Sequence, residues 1–115
     1  MFIFDSIYGR IESMNHINKI IEDIKQAVER LHNCKASYIE DIAVIENFGD
    51  QTVWSGIVHV FKIEGNSKAD KCYAWSSPIE GSTKRRYLAV LHVPPIDSPE
   101  KAVRASIVQD SKTKA

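Results

Sequence analysis

Closely spaced cysteines, glycine-rich loops and long apolar runs are all missing from this chain, and each absence removes a class of function. The two cysteines, Cys34 and Cys72, stand far apart, whereas structural zinc sites show tight pairs. His32-x-Cys34, with Cys72, His59 and His92 elsewhere, has no such spacing. The expectation is therefore no metal site, and two small buried thiols of the kind a reducing compartment keeps free. With five glycines and no phosphate-cradling loop, nucleophile elbow or two-histidine metal helix, no cofactor is expected. No run approaches the ~18 apolar residues of a membrane span. Met1-Phe2-Ile3-Phe4 stops at Asp5 without a basic flank, so no secretion signal is expected either. Together these absences predict a soluble, cytoplasmic protein with no membrane partner.

Net charge is also absent. Fifteen basic side chains balance fifteen acidic ones, which argues against binding nucleic acid or membrane by bulk charge. The distribution is uneven: residues 1–50 hold nine acidic and five basic side chains, and residues 51–115 hold six and ten, so the halves carry −4 and +4. A chain of 115 residues, 43% hydrophobic and 26% charged, is long enough for one core without staples. A single α+β domain is expected over 1–110, with a frayed tail at 111–115.

What is present is a large apolar sheet. Tyr38–Ile45 and Thr52–Phe61 are rich in β-branched residues. Gly49-Asp50 between them suits a two-residue type II′ turn, because glycine reaches positive φ without a Cβ clash. That turn sets Phe48 against Gln51 and predicts the pairs Val44–Ser55, Ile42–Ile57, Glu40–His59 and Tyr38–Phe61. Alternation then puts Tyr38, Ile42, Val44, Phe48, Val53, Ile57 and Phe61 on one face, and Ile39, Ala43, Ile45, Trp54, Val58 and Val60 on the other. Neither face is polar, so both must be covered.

Flanking elements follow from periodicity. From Met14 onward the apolar positions are Met14, Ile17, Ile20, Ile21, Ile24, Ala27, Val28 and Leu31, and those from Ile17 to Leu31 form a core-facing helical stripe, with Asn33 as its stop. Phe4, Ile7, Tyr8 and Ile11 recur at the same spacing in a different phase, which predicts a break near Ser13-Asn15. Lys71–Ser76 and Arg85–Val93 read as two more strands, with Tyr73 and Trp75 opposed in parity to Cys72 and Ala74. Ser98-Pro99-Glu100 reads as N-cap, first-turn proline and first-turn acid, opening a short helix with Ala102, Val103, Ser106 and Ile107 on one side and fraying from Gln109. The expected architecture is α+β: a long N-terminal helix on a four-stranded antiparallel sheet, then a short C-terminal helix. The helix–strands–helix order invites comparison with double-stranded-RNA-binding domains, but the last helix opens with Pro99-Glu100-Lys101 and lacks their lysine cluster, so the comparison goes no further.

Three functional expectations result. A short C-terminal helix looks too small to cover the second sheet face alone, which predicts a non-enzymatic interaction or small-ligand-binding module. It would self-associate as a C2 homodimer, or take a small apolar ligand, through Ile45, Trp54, Gly56, Val58 and Val60. The alternative is nucleic-acid binding, with Lys84, Arg85 and Arg86 for phosphate and Tyr73 and Trp75 for stacking. The third is a small acid–base enzyme in which Glu40 orients His59.

Overall fold

Asn33 closes the first helix as the sequence predicts. In the computed structural model, which describes residues 18–114, helix α1 covers 18–32, fifteen residues. Asn33 then takes a left-handed φ of 48°, and the Cys34 amide donates back to the Glu29 carbonyl at 3.2 Å, the 6→1 bond of a Schellman cap. The Glu29 carboxylate also accepts from the Ala36 amide at 3.0 Å, tying the helix end to the first strand. The expected break near Ser13-Asn15 and the stripe from Phe4 to Ile11 lie outside the described residues.

Four strands follow: β1 (Lys35–Phe48), β2 (Gln51–Glu64), β3 (Lys71–Pro78) and β4 (Arg85–Leu91). They form one antiparallel sheet in the order β1-β2-β3-β4. Helix α2 (Pro99–Lys114) completes the α+β fold. Ser98 caps it, its hydroxyl accepting from the Lys101 amide at 3.2 Å. The helix runs through Gln109 rather than fraying there; Arg86 of β4 grips Asp110 with two bonds of 2.7 and 3.2 Å.

The β1–β2 hairpin departs from the simple register at two places. Gly49 has φ 62° and Phe48 opposes Gln51 as predicted. Asn47 then pairs with Thr52 but Glu46 with Trp54, leaving Val53 unopposed. Farther along, Glu40 pairs with Val60 and Tyr38 with Phe61, leaving Ile39 unopposed. One extra residue on each strand cancels the other, so Tyr38 still meets Phe61 while the pairs between are slipped by one. A one-residue slip exchanges faces. Val44 therefore meets Gly56, Ile42 meets Val58, and Asp41, not Glu40, meets His59.

The two helices lie on opposite faces of the sheet. Ile24 and Val28 of α1 pack on Ala36, Phe61, Ile63, Cys72 and Ala74. Ala102 and Val103 of α2 pack on Val44, Val58, Val60, Tyr73 and Trp75. At about 1.5–3 kcal/mol for each large apolar side chain fully buried, Phe61, Ile63, Val58 and Val44 anchor the two interfaces. The second face is thus sheltered by the chain's own α2, sixteen residues long. Leu31, the last position of the predicted stripe, is half exposed and falls outside the packed cluster.

A candidate ligand pocket between the first helix and the sheet

The slipped register concentrates polar chemistry on the α1 side. Asp41 and His59 face each other across β1 and β2, and the His59 Nδ1–H donates to Asp41 Oδ1 at 2.6 Å. His59 is held deep, with 12% of its side chain exposed against 40% for Asp41. Ile57 lies two residues from His59 on the same face. Ser76 of β3 and Arg85 of β4 share that face too, since their strands alternate in step with Cys72 and Ala74. Ile20 and Ile21 of α1 complete the wall. Together these seven residues line a cavity of about 330 Å³, at the small end of ligand sites.

Each polar group in the cavity is oriented by another. Arg85 donates from Nε to the Ser76 hydroxyl at 3.0 Å and from Nη2 to the Ser76 carbonyl at 3.2 Å. With its Nδ1–H committed to Asp41, His59 keeps Nε2 for an incoming group. Behind Asp41 stands Tyr38, whose ring meets Phe61 edge-on at 5.9 Å. Burial raises the Tyr38 phenol above its ordinary range, aided by its hydrogen bond to Asp41 and by the negative charges of Asp41 and Glu40. Tyr38 and His59 thus both bear on Asp41, but among the described residues no hydrogen bond links the Ser76 hydroxyl to His59. The Ser76 hydroxyl accepts from Arg85 instead.

Comparison with known proteins finds no matching family model, no matching curated protein and no matching solved structure. The site must be read from its geometry.

The sequence-derived sites are redistributed. Glu40 is exposed and opposes Val60, so the expected Glu40–His59 pair is replaced by Asp41–His59. Val58 and Val60 are buried beneath α2 and form no open surface. Trp54 packs edge-on against Trp75 at 5.7 Å. Its indole fills the dent at Gly56, where a Cβ would lie 3.0 Å from the ring. Ile45 pairs with Ser55 on the opposite face and stays exposed. These five residues thus do not share one surface.

The basic and aromatic patch is divided as well. Tyr73 and Trp75 are buried in the α2-side core, and the Tyr73 hydroxyl lies 2.6 Å from His92 Nδ1, so neither ring is free to stack on a base. Lys84 is exposed beside β4, Arg85 turns to Ser76, and Arg86 turns to Asp110. His32 donates to the Ala89 carbonyl at 2.7 Å, far in role from any thiol ligand. Among the described residues, no group of three or more His, Cys, Asp or Glu side chains is gathered to hold a metal. No helix among them is long and apolar enough to cross a membrane.

Sequence reasoning singled out His59 and Arg85 but missed Ile20, Ile21, Asp41, Ile57 and Ser76 as companions. Five separate elements contribute to the cavity, and only the two unopposed residues in the hairpin decide which acid faces the histidine.

Proposed function

We propose that this chain is a non-enzymatic small-ligand-binding module whose site is the cavity between α1 and the sheet. One observation carries the reading: a nearly buried imidazole, aligned by Asp41 at 2.6 Å, sits among three isoleucines in a cavity that the Arg85 guanidinium, bonded to Ser76, also lines. Few convergent polar groups in an otherwise apolar cavity are what ligand sites present. The test is a small-molecule screen followed by methyl NMR of the isoleucines. Binders should shift Ile20, Ile21 and Ile57 together, and Ile57→Arg should abolish those shifts. Binders that perturb only other methyls would refute the site.

Self-association is a second reading, supported by a different observation. Apolar side chains crowd the far end of the hairpin on the α2 side: Phe48 is 81% exposed and Val53 about half exposed, and both line one hollow with Ile107 and Val108 of α2. Contiguous exposed apolar surface marks interaction sites. The homodimer expected from the second sheet face moves to this hairpin end, because α2 occupies that face. Light scattering at micromolar concentration should report a dimer that Phe48→Ser converts to monomer; a monomeric native chain removes this reading.

A further inference from the structure

We infer that the ligand of this cavity is a small monocarboxylate with an apolar body, an inference that rests on the cavity being the binding site. Arg85 brings the permanent cation. A guanidinium has five N–H donors, and two of Arg85's go to Ser76. Three remain on the planar group, which reaches the cavity from an exposed position on β4. A carboxylate matches that planar donor edge with two parallel acceptors. The Ser76 hydroxyl receives its bond from Arg85 Nε, so its own hydrogen is available to donate.

The acid in the cavity does not oppose this assignment. Asp41 already accepts from His59 through Oδ1, so part of its acceptor capacity is turned to the imidazole rather than to an incoming group. Arg85 is the one permanent cation among the lining residues, and its guanidinium can pair with a single carboxylate. It is a poor match for a phosphate, which carries more charge and no apolar surface. The rest of the wall is Ile20, Ile21 and Ile57, which favours a hydrocarbon body behind the carboxylate. A volume of about 330 Å³ suits an alkyl chain of medium length or a single aryl ring and excludes a dinucleotide.

The experiment uses the full chain with labelled isoleucine methyls, titrated with octanoate and 3-phenylpropionate, with the corresponding amides, and with inorganic phosphate. The acids should saturably shift Ile20, Ile21 and Ile57 and bind at least tenfold more tightly than the amides. Arg85→Gln should erase that preference while leaving the methyl signals of buried Ile24 and Ile63 in place, which reports an intact fold. Amides that bind at these methyls as tightly as the acids overturn the carboxylate assignment and leave the cavity as the site. Phosphate that displaces octanoate at equal concentration overturns it too. If no compound moves the three isoleucines, the carboxylate assignment and the site both fall.

Discussion

Asp41 and His59 meet at 2.6 Å because Val53 stands unopposed on one side of the pair and Ile39 on the other, which slips every pair between them by one. In the uninterrupted register His59 would face Glu40. The slip turns Glu40 to the other side and brings Asp41 round to the imidazole, with the Tyr38 phenol also bearing on it.

That arrangement predicts a titration. The Tyr38 phenol is raised by burial first and then by Asp41, as hydrogen-bond acceptor and as charge, with Glu40 contributing last. Both effects of Asp41 favour the protonated phenol. Asp41→Asn should therefore bring the Tyr38 ionisation down towards its ordinary range, and Glu40→Gln should move it less. NMR of the tyrosine rings against pH checks the order. Equal shifts in the two variants would contradict the register.

Core and surface phenylalanines separate cleanly. Phe61 has no exposed surface and lies between α1 and the sheet, so Phe61→Ala should cost about 3–5 kcal/mol. Phe48→Ala, at the exposed hairpin end, should change the stability of the monomer by less than about 0.5 kcal/mol. Urea denaturation of both variants measures the contrast.

Gly56 tests the packing of the two tryptophans. An alanine Cβ there would meet the Trp54 ring at 3.0 Å, and Trp75 bears on that ring from another side. Restricting the unfolded chain would favour alanine by roughly 0.4–1 kcal/mol, but crowding a packed ring costs about 1–3 kcal/mol. Gly56→Ala should be net destabilising by about 1 kcal/mol, with a changed tryptophan fluorescence maximum. An unchanged spectrum and raised stability would show that Trp54 moves aside freely.

Alkaline pH should destabilise the protein through Cys72. Burial, and secondarily Cys34, pushes its thiol up to about 12 from an ordinary value of 9.0. A group raised on folding contributes stability that is intact below its unfolded value and is lost as pH rises towards the folded one. From pH 9 to about 12 the loss should run at roughly 1.4 kcal/mol per pH unit from this thiol. Cys72→Ala should flatten that slope in denaturation curves taken across the window.

The two arginine pairs of α2 differ in consequence. Arg104 holds Glu46 with Nε and Nη2, and Glu46 is only 8% exposed. Arg104→Ala strands a buried carboxylate and should lower Tm distinctly. Arg86 and Asp110 are both well exposed, so Arg86→Ala should cost at most about 1 kcal/mol. Comparable Tm losses in the two variants would mean that burial of Glu46 does not set the difference.

Local chemistry was legible in the amino-acid sequence wherever it acts over a few residues. The glycine turn at Gly49, the stop at Asn33, the Ser98 cap and the opposed parities of Tyr73/Trp75 and Cys72/Ala74 all follow from backbone sterics, capping bonds and alternation. The hairpin register did not follow, and the reason is the same two-sided apolarity that made the sheet visible. Where both faces are greasy, slipping a strand by one residue changes no obvious burial pattern, so Ile39 and Val53 left no mark in the alternation. The cavity was illegible for a related reason: its seven residues come from five elements, and nothing local couples Ile20 to Arg85. The sequence by itself determined the helices, the strands and their turns, because those depend on neighbours a few bonds away. Only the tertiary structure decided that α1 and α2 take opposite faces and that Asp41 answers His59, because both are set by packing between segments distant in the chain.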